Sequence, residues 1–265
     1  MLEISNLSKT LSSSTADKKL VLDNVSLTIN DDDFITVIGS NGAGKSTLLN
    51  SIAGLFFPDS GTIKIDGNDI TKLPEHKRAK YFGRVFQDPL KGTAANMSIV
   101  ENLSIAARRG KIRSLKWGIL NKEKEEYRKM LESFDLGLET RLDNKIGLLS
   151  GGQRQAVTLL MATINKPKLL LLDEHTASLD PKTSKKVLTL TNKIVKENHI
   201  PTLMITHNMQ DAIDYGNRLI MMHNGQIVLD LNSKEKSNLT VKELIQKFED
   251  AVKEELIEDK MMLAN

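Results

Sequence analysis

The spacing of apolar residues along the chain changes repeatedly between the two-residue period of a strand and the longer period of a helix. It predicts strands over residues 21–29, 35–39, 61–67, 168–174 and 202–207, and a hairpin with an Asn-Gly turn over 218–230. It predicts helices over 45–55, 151–164, 184–198 and 239–258, and an inserted block over 99–160 that is helical throughout. Strands that alternate with helices are typical of an α/β fold with a mainly parallel sheet.

Composition narrows the classes of protein that fit this pattern. The 265 residues suffice for one α/β domain or one domain with an insertion, and the net charge of +3 gives no argument for a nucleic-acid partner. The absence of cysteine excludes disulfides, Cys-ligated zinc and a cysteine nucleophile. No secretory signal opens the sequence, and no apolar run is long enough to span a bilayer. We therefore expect a cytosolic chain that another protein holds at any membrane where it works.

A glycine-rich loop lies between the strand predicted at 35–39 and the helix predicted at 45–55. Its sequence, GSNGAGKST, fits the phosphate-loop pattern G-x-x-x-x-G-K-[ST] in the context that the motif requires. Lys45 is expected to reach the β- and γ-phosphates of a nucleotide, and the Ser46 hydroxyl is expected to bind Mg²⁺. The alternative is an ordinary glycine turn that caps a helix, and the flanking elements disfavour it. The predicted contacts are Gly39, Ser40, Asn41, Gly42, Ala43, Gly44, Lys45, Ser46 and Thr47.

Two acidic residues end the apolar run LLLL at 169–172. A buried parallel strand delivers the residues after it to the carboxyl edge of the sheet, where ligands bind in open α/β folds. Asp173 is expected to hold Mg²⁺ through water, and Glu174 to polarise the water that attacks the nucleotide. A strand that merely ends in solvated acids is the alternative, and the phosphate loop in the same chain disfavours it.

The stretch LSGGQ at 149–153 offers a second feature suited to an anion, far from the phosphate loop. A serine hydroxyl, glycine amides and a helix N-terminus all favour negative charge. With this stretch added to the two motifs above, nearly the whole chain resembles the ATP-binding subunits of ABC transporters, whose signature sequence is LSGGQ. The resemblance implies that the stretch closes over the γ-phosphate held by a second, head-to-tail subunit. The residues concerned are Leu149, Ser150, Gly151, Gly152 and Gln153, and the structural alternative is an N-capped helix with a flexible entry.

Three further residues match motifs of this family in the family's order. The resemblance implies that Gln87 contacts Mg²⁺ and the attacking water and links to the membrane subunit. It implies that Asp180, in the sequence SLD, lies at the dimer seam, and that His207 contacts the γ-phosphate. Taken singly, each of these residue types is more often structural.

Two positions depart from the family pattern. Members usually carry an aromatic residue near the N-terminus that stacks on adenine, whereas Leu11 stands at that place and residues 1–33 contain no Phe, Tyr or Trp. His175 follows Glu174 where many members have proline. The first departure puts base stacking in doubt, and the second leaves both acids intact.

The resemblance also implies a domain plan. It is that of a P-loop NTPase with a mainly parallel sheet flanked by helices, an antiparallel β subdomain and an inserted α-helical subdomain. We expect one ABC ATPase domain over 1–265, with core and β subdomain in 1–87 and 161–238. The helical subdomain is expected at 88–160, and a C-terminal helix at 239–265.

The function that the resemblance implies is ATP hydrolysis that drives a separate membrane permease from the cytoplasmic face of the membrane. The expected cofactors are ATP and Mg²⁺. The expected partners are an identical or paralogous ATPase subunit, the permease subunits and an extracytoplasmic solute-binding protein, without nucleic acid. An importer is favoured over an exporter because no transmembrane domain is fused, although some bacterial exporters also have separate subunits. The wider sequence resembles importer subunits assigned to tryptophan, tyrosine or related small solutes. The region after Gln87, which the family calls the Q-loop, and residues 99–160 are expected to form the groove that receives a permease helix, with Leu90 as a candidate contact.

Two other functions fit the same motifs less well. A soluble ABC ATPase that acts on nucleic acid or ribosomes is disfavoured because such relatives insert long coiled coils, zinc modules or a second ATPase copy. A binding module that nucleotide merely regulates is disfavoured because Lys45 and Glu174 are both present.

Overall fold

The computed structural model describes residues 1–12, 18–111 and 118–263, which form ten strands and nine helices within those ranges. The strands are β1 (Leu2–Ser12), β2 (Lys18–Ile29), β3 (Phe34–Gly39), β4 (Ser60–Ile65), β5 (Asn68–Asp69), β6 (Phe82–Val85), β7 (Leu169–Asp173), β8 (Thr202–Ile205), β9 (Arg218–His223) and β10 (Gln226–Leu231). The helices are α1 (Lys45–Ala53), α2 (Glu75–Arg78), α3 (Ile99–Ala107), α4 (Asn121–Glu132), α5 (Gly151–Thr163), α6 (Pro181–Asn198), α7 (Met209–Asp214), α8 (Ser233–Lys236) and α9 (Val241–Leu263). Every helix in the described ranges is too short or too polar to cross a membrane.

The chain divides into two compact units. The first unit comprises Met1–Arg78 and Pro201–Asn265, and the second comprises Ala79–Ile200.

The first unit contains an antiparallel sheet and a mainly parallel one. The antiparallel sheet has the strand order β2-β1-β4-β5. In the other, β3 lies between β8 and β9 and is parallel to both, and β10 pairs with β9 as an antiparallel hairpin. Strand β3 is buried at five of its six positions, which fits a parallel strand covered on both faces. This arrangement brings the ends of β3 and β8 to one edge.

The turn between β9 and β10 also supports the loop after β3. Asn224 and Gly225 both have positive φ, 44° and 86°, as a two-residue type I′ turn requires. The Gly225 amide donates to the Ala43 carbonyl at 3.1 Å. The hairpin that the sequence predicts is therefore confirmed, and its turn fixes one side of the glycine-rich loop.

The second unit joins a parallel pair of strands to a helical cluster. Strands β6 and β7 pair in parallel, from Phe82 opposite Leu169 to Val85 opposite Leu172. Helices α3, α4 and α5 share an apolar core in which Leu103, Leu131 and Val157 are almost wholly buried. Because this core draws on three helices, burial of their apolar faces is what holds the block together.

Each predicted strand and helix is present, but one predicted block is only partly helical, and strands β1 and β6 are among the elements that the sequence does not predict. Strand β1 escapes prediction because register shifts at Ile4/Leu7 and beyond break its alternation, and Asn6 has a φ of 50°. Strand β6 is only four residues long and contains a glycine and an arginine. The expectation that 99–160 is helical throughout is wrong between α4 and α5. There Asp135 and Gly137 have positive φ, and Ile146–Leu148 forms only a 3₁₀ turn.

Candidate functional site

The glycine-rich loop joins β3 to α1 in the first unit. Gly44 is the N-cap of α1 with a φ of 99°, and a Cβ there would lie 2.6 Å from the Val21 carbonyl oxygen. No other residue type fits this position without strain, because the φ is left-handed and the backbone of β2 passes close by. The motif glycine is therefore required by the fold of the loop itself.

Lys45 places a buried cation inside this loop. Its side chain is only 7% exposed, and its Nζ donates to the carbonyls of Gly39 at 2.7 Å and Ser40 at 3.0 Å. A cation at the N-terminus of α1 adds to the positive end of the helix dipole. The loop is thus electrostatically suited to a phosphate chain.

The hairpin of β1 and β2 reaches the same loop. Leu11 pairs with Lys19 across the two strands, and the Lys19 Nζ lies 4.0 Å from where a Cβ on Gly42 would be. Sequence reasoning singled out Leu11 but missed Lys19, whose placement follows only from the register of the two strands. The hairpin therefore brings a second cation to the phosphate loop.

His207 also belongs to the first unit. It is exposed and lies two residues after β8, the parallel neighbour of β3. Because parallel strands end at a common edge, His207 and the phosphate loop lie on the same side of this sheet.

Asp173 and Glu174 end β7 in the second unit, after the fully buried run Leu169–Leu172. The Oδ2 of Asp173 lies 3.7 Å from the Nη2 of Arg84 on β6, and the carboxylate stays partly exposed. Glu174 has a left-handed backbone with a φ of 44°. Asp173 is therefore the last residue of β7, and Glu174 begins the turn after it with a left-handed backbone.

His175, which follows these acids, turns into the protein. It is 2% exposed, and its Nε2 lies 3.2 Å from the Thr191 Oγ1 on α6. Burial lowers the pKa of His175 to about 4. The interpretation of His175 as a structural residue fits this environment.

Gln87 is exposed two residues after β6, so it lies at the same edge of the β6–β7 pair as Asp173 and Glu174. The Gln155 Nε2 donates to the Phe86 carbonyl beside it at 3.4 Å. The following 3₁₀ turn is capped by the Asp88 carboxylate, which accepts from the Leu90 amide at 2.9 Å. The second unit thus gathers three predicted site residues at one edge.

Ser150 and Gln153 form a reciprocal cap at the start of α5. The Ser150 Oγ accepts from the Gln153 amide and the Gln153 Oε1 accepts from the Ser150 amide, each at 3.3 Å. The Gln153 Nε2 also donates to the Leu136 carbonyl at 3.2 Å. The Ser150 hydroxyl acts as an acceptor in this cap, so its own proton remains available to an anion.

The glycines of LSGGQ pack against α6 and the turn before it. A Cβ on Gly152 would lie 2.2 Å from the Thr183 methyl, and one on Gly151 would lie 3.1 Å from Leu179. Asp180 caps α6 by accepting from the Thr183 amide at 3.0 Å, and hydrogen bonding with Thr183 lowers the pKa of Asp180. LSGGQ and SLD therefore meet within the second unit, a contact that the sequence analysis did not predict.

The donors expected to hold a metal are oxygen ligands. Ser46 presents an exposed hydroxyl in the first turn of α1, Asp173 a partly exposed carboxylate, and Gln87 an exposed amide. Hard oxygen donors and few protein ligands suit Mg²⁺ bound to a nucleotide. Each of these side chains is therefore of a chemical type that suits the expected ion.

Comparison with known proteins gives this site its context. A sequence model described as ABC transporter matches residues 22–177. The chain is 50% identical over 252 residues to a tyrosine transport ATP-binding protein of Clostridioides difficile (strain R20291), covering 95% of this chain and 100% of that one. It is 35% identical over 236 residues to a phosphonates import ATP-binding protein of Ruegeria sp. (strain TM1040), covering 87% and 88%.

A solved structure adds the fold. The chain superposes with a TM-score of 0.75 and 28% identity on an ATP-binding cassette in a dimeric, post-hydrolysis state bound to ADP and Pi, covering 88% of this chain and 99% of that one. The P-loop NTPase fold with mixed sheets and flanking helices is therefore confirmed. Phosphate loop, acidic strand end, signature stretch and sequence relatives all agree, and this chain belongs to the ATP-binding subunits of the ABC transporter family.

Proposed function

We propose that this chain hydrolyses MgATP as one half of a head-to-tail dimer and thereby drives solute import through a separate permease. One observation carries the proposal. The phosphate loop lies in the first unit, and a second helix start suited to an anion, capped by Ser150, lies in the second. A two-fold dimer pairs such half-sites reciprocally and so completes two sites. A dimeric relative bound to ADP and Pi supports this arrangement.

Nucleotide binding follows from the first unit. The loop amides, the start of α1 and the ammonium groups of Lys45 and Lys19 all attract the triphosphate. Ser46, Gln87 and Asp173 would hold Mg²⁺, which when bound neutralises phosphate charge and orients the γ-phosphate. Binding energy then comes mainly from the phosphates, because Leu11 offers an apolar surface without a π-face.

Hydrolysis is assigned to Glu174 and His207. Glu174 orients and polarises the attacking water by accepting its proton, and His207 donates to the γ-phosphate as charge moves onto it. Ser150 and the amide of Gly152 from the other subunit close the site and exclude bulk water. ATP thus holds the dimer together, and loss of the γ-phosphate releases it.

The transported solute is proposed as tyrosine or a related small solute. This rests on the tyrosine transport relative, which matches almost the full length of this chain. The partners are permease subunits at the cytoplasmic face of the membrane and an extracytoplasmic solute-binding protein. Residues 88–160 form the helical subdomain that receives the permease, and Leu90, 42% exposed, is a contact there. Relatives assigned to import disfavour an action on nucleic acid or ribosomes.

The catalytic assignment is tested with Glu174→Gln, which keeps the size of the side chain but removes its basicity. We expect ATP binding to persist, hydrolysis to fall at least about 100-fold, and an ATP-dependent dimer to accumulate. ATPase assays, titration calorimetry and size-exclusion chromatography measure the three quantities. Wild-type hydrolysis by the variant would show that Glu174 is not the base.

A further inference from the structure

The backbone of Glu174 is unusual for its residue type and position. Its φ is 44°, in the left-handed region that non-glycine residues seldom occupy. The other non-glycine residues with left-handed φ in the described ranges are Asn or Asp, or closely follow the end of a helix, as Lys166 and His199 do. Glu174 instead directly follows a buried strand. Such a conformation persists only where the surrounding structure holds it.

The main chain holds Glu174 through its carbonyl group. Its carbonyl accepts from the Ala177 amide at 3.0 Å, which closes the turn after β7. That bond fixes the carbonyl of Glu174 but does not by itself fix the direction of the His175 side chain. The next residue, His175, turns its side chain into the protein, where it is almost wholly buried.

His175 is tied to the middle of α6 by a directional hydrogen bond. The Thr191 hydroxyl donates to the Val187 carbonyl at 2.8 Å, so its single proton is already used. The contact of 3.2 Å between Thr191 Oγ1 and His175 Nε2 is therefore donated by the imidazole. Thr191 is fully buried on an 18-residue helix, which makes it a rigid anchor.

We propose that His175 and Thr191 are positioning residues that hold Glu174 in its left-handed backbone and so aim its carboxylate at the attacking water. The proposal rests on the proposed role of Glu174 in hydrolysis. Neither residue touches nucleotide or water in this account. Both act through the geometry of the peptide that joins residues 174 and 175.

The competing explanation is an ordinary core histidine that fills space. A space-filling role needs an apolar shape and gains nothing from a directional bond, since a buried polar group must be hydrogen-bonded merely to break even. It predicts that loss of the hydroxyl changes stability alone. Positioning predicts a lower kcat with an unchanged KM, because catalysis depends sharply on the geometry of the reacting groups.

The test is Thr191→Val, which removes the hydroxyl and preserves the shape. Thr163→Val is its matched control, because Thr163 is also buried in a helix and also donates to a carbonyl four residues back, at 2.8 Å to Leu159. We expect Thr191→Val to lower kcat for ATP about tenfold with KM changed less than about twofold. Thr163→Val should leave both constants near wild type, and Thr191→Ser should restore kcat because it keeps the hydroxyl.

A second variant, His175→Leu, removes the other partner of the bond. Its kcat should match that of Thr191→Val, and the double variant should be no slower than either single one, because all three lose the same interaction. If His175→Leu does not fold, the three threonine variants still test the positioning role. Wild-type kcat in Thr191→Val, or an equal fall in Thr163→Val, would overturn the proposal.

Comparing Glu174→Gln with Thr191→Val distinguishes failure of the positioning role from failure of the proposed function on which it rests. If Glu174→Gln hydrolyses ATP normally, the assignment of the base fails and the positioning role fails with it. If Glu174→Gln is inactive while Thr191→Val retains full kcat, only the positioning role fails.

Discussion

The phosphate loop and the signature stretch both place glycines at the start of a helix, yet the two sets of glycines have different structural roles. Gly44 supplies a left-handed backbone, and the loop around it buries the ammonium of Lys45. Gly152 has no such backbone, and its missing side chain makes room for Thr183. The signature stretch brings a serine cap and a helix dipole but no cation of its own. The neighbouring Arg154 is used instead to hold the Gly147 and Leu149 carbonyls, at 3.1 and 2.9 Å.

This difference explains why the two stretches are suited to different parts of anion binding. A loop with a buried cation binds an anion by itself, whereas a helix start without one adds only a modest attraction. The signature stretch is therefore suited to close over a phosphate that another site already holds. Its fit against α6 then matters as much as its contact with the phosphate.

A change that breaks this fit between Gly152 and Thr183 is expected to lower the ATPase activity. Gly152→Ala places a methyl group 2.2 Å from the Thr183 methyl, so α5 and α6 must separate and activity should fall at least about tenfold. Thr183→Ser removes the opposing methyl, so the double variant should recover most of the ATPase rate. Gly118→Ala is the control, since nothing lies within 4 Å of its added Cβ. A double variant as inactive as Gly152→Ala would mean that the glycine serves the nucleotide and not the packing.

A smaller effect is expected on the pH dependence of stability, through a buried histidine in the second unit. The pKa of His175, in the second unit, is lowered by burial from 6.5 to about 4. Between these values the unfolded chain binds a proton that the folded chain does not, so the free energy of unfolding falls as pH drops from 6.5 towards 4. The loss attributable to His175 is about 2 kcal/mol by pH 5. Urea unfolding at pH 7.5 and pH 5 measures it, and His175→Leu should lose that part of the pH dependence. An equal pH dependence in both proteins would refute the assignment.

The smallest effect concerns the base of the nucleotide. Base–aromatic stacking contributes roughly 1–3 kcal/mol per base in single-strand nucleic-acid sites, so Leu11→Tyr should raise ATP affinity several-fold. The wild type should discriminate weakly between ATP and GTP. Lys19→Ala should weaken both nucleotides equally, because Lys19 lies at the phosphate loop and not at a base. Nucleotide titrations measure these affinities, and a strong wild-type preference for ATP that Leu11→Tyr leaves unchanged would contradict the prediction.

The sequence alone predicts those parts of the fold and site whose signals are local. Strands β3, β7 and β8 are short apolar runs, and the phosphate loop and the Asn-Gly turn are contiguous motifs. Features that depend on distant pairing escaped it. Lys19 reaches Gly42 only through the register of β1 and β2, and β1 itself is broken by bulges.

Contacts within the second unit escaped prediction for the same reason. His175 meets Thr191 sixteen positions later, and Gly152 meets Thr183 across two helices. In both cases each residue alone has an ordinary local explanation, as a core histidine or a flexible helix entry. Only the fold shows that the partner is a specific threonine on α6.

The most direct test of shared sites mixes two inactive variants. Ser150→Arg spoils only the signature stretch and Lys45→Ala only the phosphate loop, so each alone should be inactive, while Ser150→Arg monomers should still bind ATP. In a mixed dimer one composite site combines the intact loop of one chain with the intact signature of the other. We predict that an equal mixture recovers up to about a quarter of the wild-type rate for random pairing of independent sites. No recovery, with mixed dimers shown to form, would contradict the account that two half-sites on different chains make one catalytic site.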